Sequence, residues 1–509
     1  MVATIEELLD TGADDSPAIG GAGRTWLSYG GLRSLSRTTV EALRGFGIGH
    51  TDRVAIVLPN GPEMATAFLT IAQGAATAPL NPSYTQDEYE FYLDDLNAKA
   101  LVIEEGYEGP ALEAASKLGI AVITLVADAG APAGMFHLEG ESAGEEADPA
   151  NPGPDDVALI LHTSGTTSRP KIVPLTQTNV AISATNIRKS LALTSEDRSL
   201  NIMPLFHIHG LVASLSASMA AGASVWCAQG FNVLQVYSQM EEAIPTWITA
   251  VPTMHQANLS RAGRNMETIQ NSRLRFLRSS SASLPAPVME ELTSVFGVPV
   301  VEAYGMTEAA HQMCSNPVHP GKQKPGFVGL AAGPKVQIAD EFEDFLLESG
   351  AVGEVVISGP NVTAGYESNP DANEKSFFTI EGERWFRTGD QGAFDEDGYL
   401  QLTGRLKEII NRGGEKISPL EVDAILLKHP EIAQAVTFAV PHPKLGEDIA
   451  AAIVLSENGE ADARAVRDYA ASHLAGFKVP SKVIILEEIP KGATGKIQRI
   501  GLAEKLNLT

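Results

Sequence analysis

Thr163-Ser164-Gly165-Thr166-Thr167-Ser168-Arg169-Pro170-Lys171 places four hydroxyls among its first five residues, adds a flexible glycine and closes on two cations. Backbone N–H groups, hydroxyl donors and positive charge gathered at one place can wrap phosphate oxygens. The segment is not the Gly-x-x-x-x-Gly-Lys-Ser/Thr loop, because no Gly-Lys pair opens a helix after it. Four later stretches also combine reactive or ligating groups: Tyr304-Gly305-Met306-Thr307-Glu308, Thr388-Gly389-Asp390, Gly404-Arg405-Leu406-Lys407, and Pro490-Lys491-Gly492-Ala493-Thr494-Gly495-Lys496. Taken singly, each also suits a plain turn or a solvated loop. His207-Ile208-His209 lacks further ligands in sequence, so no zinc site is expected.

The elements that must position these groups read as an α/β chain. Leu32–Phe46 has apolar residues at helical spacing, and Val54–Leu58 is a buried-strand run ended by Pro59-Asn60-Gly61. Such alternation favours a sheet covered by helices. The apolar run Val157–His162 enters the hydroxyl-rich loop directly, which predicts a strand below it. Residues 326–404 read as β-rich. After Arg405 the pattern becomes compact α+β: Pro419 opens a helix to Leu427, with strands over Ala450–Leu455 and Val483–Leu486.

Composition narrows the class. The 509 residues are about three times a usual domain length, so several domains are expected. With 37 Lys/Arg against 63 Asp/Glu the net charge is −26, which argues against nucleic acid and anionic membranes as partners. From Arg405 onward, 14 basic residues balance 14 acidic ones, so all the excess acidity lies in residues 1–404 and a boundary is expected there. Arg198 to Glu241 encloses no charge, yet Pro204, His207, His209, Gly210 and several serines interrupt it, predicting buried core rather than a membrane span. Two cysteines, Cys227 and Cys314, give no disulfide framework. The first residues carry no secretory pattern and Asn507-Leu508-Thr509 is no peroxisomal address, so a cytoplasmic location is expected.

Together and in this order, the five segments resemble the signatures of the acyl-adenylate-forming superfamily of acyl-CoA synthetases, adenylation domains and luciferases. The resemblance implies a large N-terminal domain over 1–404, with two α/β sheet subdomains and a β-rich one, and a small mobile α+β domain over 405–509 hinged near Lys407. It implies ATP, Mg²⁺ and coenzyme A as reactants and cofactors, small-molecule partners only, and a monomer or homodimer. Thr163, Ser164, Gly165, Thr166, Thr167 and Lys171 would hold phosphates, and Tyr304 would stack on adenine. Thr307 and Glu308 would hold the α-phosphate and the metal. Asp390 and Arg405 would hold the ribose, and Lys496 would bridge the attacking carboxylate and the α-phosphate. Gly413 and Gly414 would line the passage for the pantetheine arm of coenzyme A.

The surroundings of the motifs resemble the oxalyl-CoA synthetase group within that superfamily: Leu161-His162-Thr163, Ser168-Arg169, Arg278–Leu284, and Met306–Met313 followed by Asn316-Pro317. On this resemblance His207, Ser281 and His311 are the polar positions that meet the acid, whereas His209 carries less weight. Oxalate is a dianion with no methylene to bury, so its recognition must come from donors. The alternatives are another short acid (malonate, glycolate or acetate) or a luciferase-like monooxygenase, which needs a large apolar pocket. The chain departs from the family at Ile172, where a glycine is usual. A β-branched residue resists positive φ, so strain beside Lys171 is the expectation.

Overall fold

Short runs of Val, Ile, Leu and Ala, each closed by turn residues, form two large sheets whose central strands are parallel and covered by helices. The computed structural model describes residues 2–508 except 129, 142–146, 148–149, 164–169, 319, 458, 491–496 and 498. Ser164, Gly165, Thr166, Thr167 and Lys496 therefore lie outside the described residues.

Seven strands form the first sheet, in the order Phe136–Gly140, Ala121–Ala127, Ala100–Glu104, Arg53–Val57, Ala76–Pro79, Val157–Thr163 and Lys171–Thr176. The second has nine, running from Leu330–Ala331 through His311–Ser315, Val300–Met306, Phe276–Ser279, Trp247–Ala250, Arg198–Asn201, Ser224–Cys227 and Pro17–Gly20 to Leu27–Ser28. One continuous apolar cluster, including Phe68, Trp247 and Phe276, packs the helices between them. A third, antiparallel sheet covers Lys335–Ala339, Gly353–Ser358, Phe377–Ile380, Glu383–Phe394 and Leu400–Arg405. Beyond Arg405 a fourth sheet of five strands forms around the hairpin Ile432–His442 and Gly446–Leu455, with its own core of Ile410, Val422, Ile449 and Val466.

The expected elements appear with modest shifts of boundary. The first predicted helix spans Tyr29–Gly45, capped by the Ser28 side chain, and the predicted Pro419 helix ends at Leu426. The charge-free stretch holds a strand, a π-helical turn over His209–Ser216 and a second strand, all buried. No helix among the described residues is long and apolar enough to cross a membrane. Parallel strands of the second sheet end at Asn201, Ala250, Ser279 and Met306, and the candidate site lies beyond those ends, where open α/β sheets usually bind ligands.

Candidate active site

The strand Val157–Thr163 and its antiparallel partner Lys171–Thr176 bracket the hydroxyl-rich loop, with Thr163 opposite Lys171 and His162 opposite Ile172. The strain expected at Ile172 is absent. Its φ is not positive, it is 6% exposed within an apolar cluster, and its carbonyl accepts the Glu367 N–H at 3.1 Å. A β-branched residue suits this extended, packed position, so Lys171 is held by regular strand pairing.

Lys171, Tyr366 and Glu308 meet. The Lys171 ammonium lies 4.1 Å from the centre of the Tyr366 ring, whose hydroxyl donates to Glu308 Oε1 at 2.8 Å. Burial pulls the Lys171 pKa down, opposed by Glu308 and assisted by the nearby cation Lys407, so the hinge residue and the loop lysine are electrostatic neighbours. Burial raises the Glu308 carboxyl above its ordinary value, and the Tyr366 hydrogen bond works against that rise. A cation arriving with a polyphosphate would restore the ionised carboxylate. Among the described residues no group of three His, Cys, Asp or Glu side chains is placed to hold a metal ion. Thr307 stands at the start of the same short turn, Thr307–Ala309.

Asp390 lies opposite Arg405 across a strand pair. The Tyr304 hydroxyl donates to Asp390 Oδ2, and Arg405 Nε lies 3.2 Å from Oδ1. Each oxygen keeps a second lone pair for a ligand hydroxyl. Burial raises the Asp390 carboxyl, and Arg405 and Tyr304 oppose the shift.

The third group is polar and lies deep. Ser281 Oγ is 3.0 Å from His209 Nδ1, His209 Nε2 is 2.6 Å from Thr249 Oγ1, and the His209 and His311 rings meet edge to face at 5.1 Å. His209 is thus an imidazole that joins Ser281 to His311. His207 sits two residues earlier, its Nδ1 accepting the His209 N–H at 3.2 Å. The π-turn aims His209 inward, and Gly210 permits it, since a Cβ there would lie 2.3 Å from the Pro204 carbonyl oxygen. Ser281, Ala310 and His311 hold φ of +73°, +47° and +102°. Positive φ costs non-glycine residues about 1–3 kcal/mol each and gathers at functional sites.

Glu302, fully buried one sheet position away, accepts the Leu284 N–H at 2.9 Å and so anchors the turn presenting Ser281. Burial pushes its carboxyl up to about 8. The folded chain therefore holds a proton that the unfolded chain releases near 4.5, and stability falls as pH rises through that window. Glu302→Gln removes the titration. Between pH 5 and 8 the variant should gain about 3 kcal/mol on the parent, seen as diverging thermal midpoints. Parallel midpoint curves would contradict this.

Gly413 and Gly414 form the exposed two-residue turn between Ile410–Arg412 and Glu415–Ile417, with φ of +63° and +98° that only glycine adopts cheaply. Next to them Lys416 pairs at 2.7 Å with Glu341, in the bend that follows the strand Lys335–Ala339. Motif reading missed Tyr366 and Thr249, quoted Arg278 without a role, and gave His209 less weight than His207. Tyr366 belongs to no motif quoted above, and only the charge-free setting of His209 hinted at its burial.

A family model described as AMP-binding enzyme matches residues 9–367, and one described as AMP-binding enzyme C-terminal domain matches residues 421–496. The chain is similar to an oxalate–CoA ligase of Arabidopsis thaliana, at 45% identity over 97% of each chain. It is similar to another of that name from Saccharomyces cerevisiae, at 42% over 89% of this chain and 86% of the other. Among solved structures, ATP-bound MatB from Rhodopseudomonas palustris matches with a TM-score of 0.88 over 99% of both chains, at 29% identity.

Proposed function

The chain belongs to the AMP-binding enzyme family, and from that premise we propose that it is an AMP-forming oxalate–CoA ligase. One oxalate carboxylate attacks the α-phosphorus of ATP, giving oxalyl-AMP and pyrophosphate. The thiol of coenzyme A then attacks the acyl carbonyl, and AMP leaves. Such transfers depend on positioning and charge neutralisation more than on a protein nucleophile.

The observation that carries this reading is the meeting of Ser281, His209 and His311 beyond the strand ends, a set of donors where an aliphatic or aromatic acid needs apolar wall. They hold the unreacting carboxylate, with His207 at the entrance. Thr163, Lys171 and the loop residues Ser164, Gly165, Thr166 and Thr167 hold phosphates. Tyr304 faces adenine, and Asp390 with Arg405 holds the ribose. Thr307 and Glu308 serve the α-phosphate and the magnesium ion, which neutralises phosphate charge. The unit after Arg405 turns about Lys407 between steps, bringing Lys496 to the first and Gly413-Gly414 to the second. The enzyme works in the cytoplasm as a monomer or homodimer, and the buried free thiols of Cys227 and Cys314 suit a reducing compartment.

Incubation with Mg-ATP, coenzyme A and oxalate should yield AMP, pyrophosphate and oxalyl-CoA in equal amounts. Release of ADP, or a missing thioester, refutes the reading. His311→Ala should raise the KM for oxalate about ten- to a hundredfold and leave that for ATP unchanged, as expected on losing a charged hydrogen bond. A variant that turns over oxalate as the parent does would remove His311 from the acid site.

A further inference from the structure

Arg278 is a charge that the reaction above leaves without a role. It lies in the strand Phe276–Ser279, in register with Thr249 on one side and Val301 on the other, and is 0% exposed. Its hydrogen-bond partners are neutral. Nη1 donates to Thr249 Oγ1 at 3.2 Å, Nη2 donates to Gln312 Oε1 at 3.3 Å, and Nε has no partner among the described residues. Among those residues no carboxylate is a side-chain partner of it. The nearby Glu302 is in register with Ser279, so it leaves the sheet by the opposite face. A buried cation without a counter-charge is costly, and the cost is relieved when an anion enters.

Hydrogen bonds link this cation to the pocket through Thr249 and His209. Thr249 Oγ1 has two partners among the described residues, Arg278 and His209. Arg278 can only donate, and the buried hydroxyl proton of Thr249 finds its one other partner among the described residues in His209 Nε2, so the pattern that leaves no buried donor unpaired sends it there. The neutral imidazole then carries its proton on Nδ1 and donates to Ser281 Oγ, and the proton of Ser281 is left to point into the pocket.

We propose that Arg278 is a positioning residue for the second carboxylate of the acid, fixing a donor chain that runs through Thr249 and His209 and ends on Ser281 and the anion. The proposal rests on the ligase reading. Ser281 touches the acid. Arg278 sets its orientation and supplies the positive charge behind it, each bond in the chain polarising the next.

The test compares Thr249→Val, Thr249→Ser, Arg278→Met and the double variant Thr249→Val/Arg278→Met, with KM and kcat measured for oxalate and for ATP. Valine matches threonine in shape and breaks the chain. It should raise the oxalate KM about tenfold or more and leave the ATP KM unchanged, whereas serine should stay within about twofold of the parent. Arg278→Met should show the same loss, and the double variant should lose no more than either single one. An unchanged oxalate KM in Thr249→Val, equal losses for ATP, or additive losses in the double variant would overturn the proposal. If Arg278→Met fails to fold, the valine and serine pair decides. Oxalate turnover by the parent protein reports on the ligase reading, whereas the ratio of variant to parent reports on Arg278. If the parent prefers another acid with a second anionic group, the ratio is read with that acid. A parent that accepts only monocarboxylates overturns the proposal.

Discussion

Lys496→Ala is expected to slow oxalyl-AMP formation by about a hundred- to a thousandfold, the range for removing one preorganised cationic or hydrogen-bonding group from a developing negative charge. Thioester formation from supplied oxalyl-AMP should keep its parental rate. The asymmetry follows from charge. In the first step two anions, a carboxylate and a phosphate ester, must approach each other, and a lysine between them lowers that barrier. In the second step the thiol attacks an acyl group already bonded to phosphate, and the lysine has no such task. The far side of the Lys496 segment is anchored: Arg499 pairs with Asp423 and lies 3.9 Å from Glu408, next to the proposed hinge. Pyrophosphate exchange into ATP measures the first step, and consumption of coenzyme A with oxalyl-AMP measures the second. Equal loss in both would contradict a lysine dedicated to adenylation.

Lys407→Pro should separate the two half-reactions in another way. Arg405 is the last residue of a strand that pairs with Glu383–Phe394, and Leu406 donates its N–H to the Gly389 carbonyl at 2.9 Å. The chain then turns, with Glu408 and Ile409 both donating to the Arg405 carbonyl. Proline at 407 fixes φ near −65° and pushes Leu406 out of helical space, which removes the freedom that a rotation requires. Each half-reaction assayed alone should stay within several-fold of the parent, and the coupled reaction should fall about a hundredfold. Unchanged overall turnover would rule out rotation about this residue. Loss of both half-reactions would show instead a local distortion of Asp390 and Arg405.

Much of this architecture was legible before any coordinate. A continuous apolar run over Val157–His162 and a first-turn proline located the strand Val157–Thr163 and the helix at Pro419, because both signals are local. The chain after Arg405, where basic and acidic residues balance, forms the fourth sheet around a core that includes Ile410, Val422, Ile449 and Val466. Ile172 was misjudged because a family pattern was read as a backbone requirement, while in this chain the position is an ordinary buried strand residue. The contacts of His209 were not legible in the sequence, because neighbours in sequence say little about neighbours across a sheet. Its contacts, Thr249, Ser281 and His311, come from three separate strand ends. Arg278 was quoted as part of a motif, but its burial and missing counter-charge become visible only when the strand registers are known.

The acidic body of the protein, with net charge −26, must bind three anions, so selectivity has to arise from the donors and cations within the site. The most direct test is kcat/KM for AMP release measured across mono- and dicarboxylates of two to six carbons. Oxalate should lead, exceeding glycolate and acetate by about a hundredfold or more, because a site built to hydrogen-bond a second carboxylate leaves its donors unpaired with acids that lack one. A monocarboxylate equal to oxalate, or no AMP release with oxalate, would contradict the account.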